Sequence, residues 1–140
     1  MKMLRICVVM LLLTLFTVAC SKSMSSNEAA KKGYVVYGQR DILNYDLFEG
    51  FLDKVTSNEN AAVKFAIYTI EGDPIFHYLE YNNKKATITY TYDSRQDENG
   101  EKEKVSTSCK TINLVDGVYA LADCDDVETG KRFYATQKSE

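Results

Sequence analysis

"CKTINLVDGVYALADC", residues 109–124, sets two cysteines at equal distances on either side of Asp116-Gly117. Asp-Gly between two alternating apolar runs favours a two-residue hairpin loop, because a type I′ turn needs positive φ at both central residues. With that dipeptide as the loop, Val115 faces Val118, Leu114 faces Tyr119, Ile112 faces Leu121, Lys110 faces Asp123 and Cys109 faces Cys124. Directly opposed Cα atoms in an antiparallel pair lie about 4.5–5.5 Å apart, a separation a disulfide accepts. A Cys109–Cys124 bond is therefore expected, closing a loop of about 15 residues and contributing roughly 3 kcal/mol in the chain-entropy view. Two unconnected buried cysteines are the plainer alternative. A zinc pair is poorer, because no second Cys or His pair completes a site. The symmetry and the pairings around it favour the bond.

A stable disulfide belongs to an oxidising compartment, which calls for an export signal. Met1-Lys2-Met3-Leu4-Arg5 is a short basic region, followed by "ICVVMLLLTLFTVA" (6–19), nearly unbroken apolar sequence. That run has signal-peptide length and is short for a membrane span. It ends in Thr17-Val18-Ala19-Cys20-Ser21, which resembles a bacterial lipobox, with Thr17 where Leu is usual. On this reading residues 1–19 are a lipoprotein signal peptide and Cys20 becomes the lipidated first residue. Two palmitate-type acyl chains, at about 0.8 kcal/mol per buried methylene, would hold the protein on a membrane. The alternative is an ordinary signal peptide cut near Ala19. The cysteine arithmetic agrees with lipidation: Cys7 leaves with the leader, Cys20 is capped, and Cys109 and Cys124 pair.

The 140-residue chain carries 17 Lys and Arg against 20 Asp and Glu, a formal charge of −3. Losing a leader with two basic and no acidic residues makes the balance more acidic still. Such a chain is not expected to bind nucleic acid or to be drawn by charge to an anionic lipid surface. Residues 20–33, the lipidated Cys with "SKSMSSNEAAKKG", read as a flexible tether, and residues 34–140 as one domain.

"YVVYGQ" (34–39) reads as a first strand and "NYDLFEGFLDKVTS" (44–57) as a helix. Asn44 is placed as its N-cap, and Leu47, Phe48, Phe51, Leu52 and Val55 form one apolar stripe at helical spacing. Gly50 costs about 1 kcal/mol in mid-helix, yet the stripe continues across it. Beyond it the period becomes two, giving six strands: "AVKFAIYTI", "IFHYLEYN", "KATITYTY", "KVSTSCKTINL", "VYALADC" and "RFYATQ". With "EGDP" (71–74) and Asn83-Lys84 as turns, Ala66, Tyr68 and Ile70 share a face with Ile75, His77 and Leu79 and with Ile88, Tyr90 and Tyr92. The other face carries Thr69, Glu80 and Thr87 with Phe65, Ile67, Phe76 and Tyr78. The expected fold is α+β: a single N-terminal helix packed on an antiparallel sheet of about six to seven strands, with one hairpin disulfide. "DSRQDENGEKEK" (93–104) reads as a mobile hairpin tip.

Chemistry-bearing residues are few. His77, the one histidine, has no nucleophile or carboxylate placed beside it by any motif and reads as a hydrogen-bonded strand residue. Asp123, Asp125, Asp126 and Glu128 are the best candidates for a cation site, although their spacing matches no calcium loop. Glu71 and Asp73 flank Gly72 in a turn too open to split two carboxylate pKa values. The ten tyrosines fall mainly in strands, where half-buried aromatics are ordinary packing. No catalytic residue, metal ligand or cofactor is assigned, and the chain is not expected to be an enzyme.

Asn44-Tyr45-Asp46-Leu47 with Phe51-Leu52, then "YTIEGDPI" (68–75), Tyr90-Thr91-Tyr92-Asp93 and Ser108-Cys109-Lys110 resemble a family of small bacterial lipoproteins, found mainly in bacilli and defined by a domain of unknown function. The resemblance spans about residues 33–124 and implies export, lipidation and the cysteine pair, but no activity. It also implies a position on the extracytoplasmic face of the cell membrane. The expected role is that of a lipid-anchored protein-binding module of the cell envelope, with the membrane and an envelope protein as partners. The contacts would be Phe76 and Tyr78 if nothing covers them. A small-ligand or cation-binding lipoprotein is the alternative.

Overall fold

The computed structural model describes residues 23–138. Elements run α1 (Ser26–Lys31), β1 (Val35–Tyr37), β2 (Ile42–Leu43), α2 (Tyr45–Thr56), β3 (Ala61–Tyr68), β4 (Pro74–Asn82), β5 (Thr87–Asp93), β6 (Lys104–Cys109), β7 (Thr111–Val115), β8 (Val118–Ala122), α3 (Val127–Gly130) and β9 (Tyr134–Thr136). The fold is mixed α+β, as the change from helical to alternating period implies, but it holds two sheets instead of one. Six strands pair in the order β2-β1-β3-β4-β5-β6 and three in the order β7-β8-β9. Nor is the main helix N-terminal: α1, β1 and β2 precede it.

β1 and β3 pair in parallel, Val35 with Phe65 and Tyr37 with Ile67, so the chain between them needs a crossover. The helix α2 supplies it. Tyr45, Phe48 and Phe51 are buried against the sheet, with Leu52 and Val55 packed beside them. Asn44 does not cap α2 with its side chain. It sits in the left-handed region (φ 56°), and its Nδ2 donates to the carbonyls of Ala30 and Tyr34 at 2.9 Å each. The residue that opens α2 thus also fastens the end of α1.

The β7–β8 hairpin has the register that Asp116-Gly117 demands, with Val115 opposite Val118 and Ile112 opposite Leu121. Asp116 (φ 51°) and Gly117 (φ 77°) both adopt the positive φ of the tight turn. The ladder ends at Thr111–Ala122, one step before the expected Lys110–Asp123 pair. "KVSTSCKTINL" is therefore two strands. β6 finishes at Cys109 in the large sheet, and β7 begins at Thr111 in the small one.

The β3–β4 register also departs from expectation. Phe65, not Ala66, lies on the face of His77, since Phe65 pairs with His77 and Ile67 with Ile75. The connection spans residues 69–73, closed by Thr69 N–H to Asp73 O at 2.9 Å, and is one residue longer than "EGDP" alone. A one-residue change of loop length moves every side chain of one strand to the opposite face. The main core accordingly holds Val63, Phe65, Leu79, Tyr81, Ile88 and Tyr90 under α2, with Tyr119, Leu121 and Phe133 from the second half of the chain.

Candidate functional site

Cys109 and Cys124 are joined by a disulfide, as the hairpin symmetry suggested. They are not a pair within the hairpin ladder. Asp123 bends the chain after β8 with φ 53°, and the bridged Cα atoms stand 3.8 Å apart, closer than ladder neighbours. The bond ties the last residue of the large sheet to the segment leaving the small one, so it locks two sheets. Gly130 of α3 packs directly on it: a Cβ there would meet Cys124 Sγ at 2.4 Å. Only glycine allows that approach. The leader and the lipidation candidate Cys20 lie outside the described residues.

His77 is buried to 2% exposure. Its Nδ1 shares a 2.8 Å hydrogen bond with Tyr90 Oη, and its ring packs edge-on against Tyr92 and Phe133. Burial pushes its pKa down to about 3, so the imidazole stays neutral in the folded protein. The same burial raises the Tyr90 hydroxyl above its ordinary value. Sealed from solvent, the pair is a polar tie inside the core.

The second face of the large sheet, expected to carry exposed contacts, is covered at one end, over Val36, Ala66 and Phe76, while Ala62, Glu80, Thr89 and Ser106 stay exposed. Residues 25–33 were expected to be part of a flexible tether. Ser26–Lys31 instead forms a helix, with the Glu28 N–H donating to Ser25 Oγ and Lys32 bridged to Glu28 at 3.1 Å. Ala29 of α1 is fully buried among Val36, Ala66 and Phe76, with Met24, Tyr34, Tyr68 and Tyr78 packed around them. Phe76 is 4% exposed, and the Tyr68 hydroxyl, pushed up to about 12 by burial, donates to Met24 O. Phe76 is therefore no open apolar contact, whereas Tyr78 is half-buried and lines the groove beside α2. Residues 93–104 are likewise ordered by their own polar groups. Arg95 grips Asp93 at 2.7 Å and holds its carboxyl below the usual range. Buried Ser94 donates to Glu101 O, and Glu98 N–H donates to Asp73 Oδ2, docking this loop on the 69–73 turn.

Glu71 and Asp73 do not act as a carboxylate pair: Glu71 is exposed and Asp73 is held in that loop contact. In the acidic turn, Asp126 caps α3. It accepts from the Glu128 and Thr129 N–H groups and from Thr129 Oγ1, and the Thr129 hydroxyl is the first cause of its lowered pKa. Among the described residues no three His, Cys, Asp or Glu side chains converge as a cation site would need. No helix among them is long and apolar enough to cross a membrane.

What the alternation of apolar residues did not reveal is a groove of about 490 Å³ between α2 and β3, walled by Leu47, Gly50 and Phe51 on one side and Ala62, Val63 and Lys64 on the other. It continues past Asn60 and Asn82 as a second hollow of about 480 Å³ that shares Lys54, Ala62 and Glu80. Leu47 was the available signal. It belongs to the apolar stripe of α2 yet is 41% exposed. Another cleft, of about 570 Å³, lies beside β1 and β2, where Ser26, Arg40, Asp41 and Tyr68 meet.

Two sheets, a crossover helix and a disulfide define a small mixed α+β domain. Its family follows from the sequence: the model of the Domain of unknown function (DUF4362) matches residues 32–118, more than half of the chain, which therefore belongs to that family. Among curated proteins and among solved structures, nothing matches.

Proposed function

We propose that this chain is a lipid-anchored protein of a bacterial cell envelope, held on the extracytoplasmic face of the cell membrane through Cys20, and that its folded part binds another protein without catalysing a reaction. The observation that carries this reading is the Cys109–Cys124 bond. A disulfide at the junction of two sheets suits an oxidising compartment, and the apolar run ending at Ala19-Cys20 is the segment that would take the chain there. With α1 over Phe76, the groove beside α2, which Tyr78 helps to line, is the better place for the binding surface.

Feeding host cells an alkyne-tagged fatty acid tests the anchor. The wild-type chain should take up label and sediment with membranes, and Cys20→Ala should be unlabelled. Unlabelled wild type would overturn the anchor. Crosslinking on intact cells tests the partner: the reading requires a protein captured above the Cys20→Ala control. A small-ligand role is the second reading, favoured by the cleft where Arg40 and Asp41 stand beside Tyr68. Calorimetry with calcium and cell-wall fragments tests it, and flat traces remove it.

A further inference from the structure

β3 has eight residues, and β4 pairs with all of them on one side. On the other side β1 pairs only with Phe65, Ala66 and Ile67, because the chain ahead of Val35 turns off into α1. Residues 61 and 63 turn their main-chain groups toward β4, so on the side of β1 the Ala62 N–H and C=O and the Lys64 N–H have no ladder partner among the described residues. These groups open into the groove. Ala62, Val63 and Lys64 are consecutive and point to alternate faces, yet all three line the same hollow, as happens when a strand is met edge-on.

Two features of α2 match this gap. Leu47 belongs to the apolar stripe of the helix yet is 41% exposed and lines the groove. Gly50 sits in mid-helix, where it is less favourable than Ala by about 1 kcal/mol. A Cβ there would meet nothing within 4 Å, so no contact inside the chain requires glycine. Its missing side chain keeps the helix wall low beside the open edge.

We propose that residues 61–64 accept an extended segment of a partner protein, added to the sheet as a strand that continues the line of β1. This rests on the protein-binding reading above and names its site. Four residues span about 13 Å. Main-chain hydrogen bonds to β3 supply the affinity, and alternate side chains the selectivity. One set lies against Leu47, Phe51 and Val63 and is apolar; the other lies toward Lys64, Tyr78 and Glu80 and is polar. Proline is excluded from the paired positions, since it has no N–H to give. Lysines and carboxylates share the rim, so the groove has no pull on polyanions.

The probe is a phage-displayed library of random dodecapeptides, panned on the full-length chain in detergent, with enriched peptides synthesised and titrated by calorimetry. The proposal expects alternating apolar-polar peptides of micromolar affinity that slow amide exchange at Ala62 and Lys64. Gly50→Leu, which fills the groove, should raise the melting temperature while weakening these peptides at least tenfold. Leu47→Lys, at an exposed position, should weaken them without loss of fold. Failure to enrich any peptide, equal binding to Gly50→Leu, or protection elsewhere would overturn it. Concentration-dependent dimers lost in Gly50→Leu would also overturn it, in favour of a second copy. None of these results bears on acyl labelling of Cys20, so the anchor stands or falls separately.

Discussion

The two faces of the six-stranded sheet are covered to different extents and in different ways. One is covered by the twelve-residue α2 and by the small sheet, which bring Phe48, Phe51, Tyr119 and Phe133 onto Phe65 and Tyr90. The other is covered only over Val36, Ala66 and Phe76, by the six residues of α1, with Ala29 as its one buried residue, and by tyrosine side chains; Ala62, Glu80, Thr89 and Ser106 are left exposed. Burial stabilises in proportion to apolar area, so the first face holds most of the folding energy. The second is covered in part, by a short segment whose attachment depends on a few contacts, among them the two hydrogen bonds from Asn44. A sheet can thus be finished on one side by aromatic mass and on the other by local fastening.

Truncating the thick side should have the largest effect. Phe48 is fully buried between Phe65 and Tyr119, with ring centroids 5.1 and 5.0 Å away. Phe48→Ala should cost about 3–5 kcal/mol in urea unfolding, and Phe76→Ala on the thin side should cost less. Equal losses would break the comparison. The disulfide comes next. Its sequence separation is 15, and removing both sulfurs with Cys109→Ser and Cys124→Ser should cost about 3 kcal/mol and lower the melting temperature by several degrees. An unchanged melt would show that the two sheets hold together without it.

Acid should act through the thick side too. The buried His77 titrates near 3 in the fold against 6.5 in a model peptide, so the unfolded chain binds the extra proton between these values. Stability is then full above about pH 6.5 and falls as the pH drops, by about 2 kcal/mol at pH 5. His77→Gln should flatten this slope. Asp93, held low by Arg95, adds its own loss only below about pH 4. Ala29→Glu should have the smallest effect, about 1 kcal/mol, since a carboxylate at that site undocks α1 and leaves the main core whole. Faster tryptic cleavage after Lys31 and Lys32 would report the undocking.

The same comparison explains which parts of the fold were legible in the sequence. The stripe of α2 and the alternation of β3 to β5 are strong periodic signals, and they build the thick side. Asp116-Gly117 pinned the β7–β8 register because a two-residue loop leaves no freedom of parity. At β4–β5 the loop is two residues longer than Asn83-Lys84 alone, and an even change kept Ile88, Tyr90 and Tyr92 on the face of His77 and Leu79. At β3–β4 the change was odd, which exchanged Phe65 and Ile67 with Ala66 and Tyr68. The break between β6 and β7 was hidden because alternation runs through Lys110 unbroken. α1 was signalled only locally, by Ser25 three residues before Glu28 and Lys32 four after it, and no apolar stripe marked it because its buried contribution is one alanine in a polar run. The groove was illegible for a related reason: what creates it is the shortness of β1, and a sequence pattern does not register a strand that stops early.

That Ser26–Lys31 belongs to the folded body is the claim on which the two-faced description turns. Nuclear Overhauser contacts of the Ala29 methyl group test it most directly. The structure predicts cross-peaks from this methyl to protons of Val36, Ala66 or Phe76. A sharp Ala29 resonance at its random-coil shift, with no cross-peak to any of the three, would contradict it.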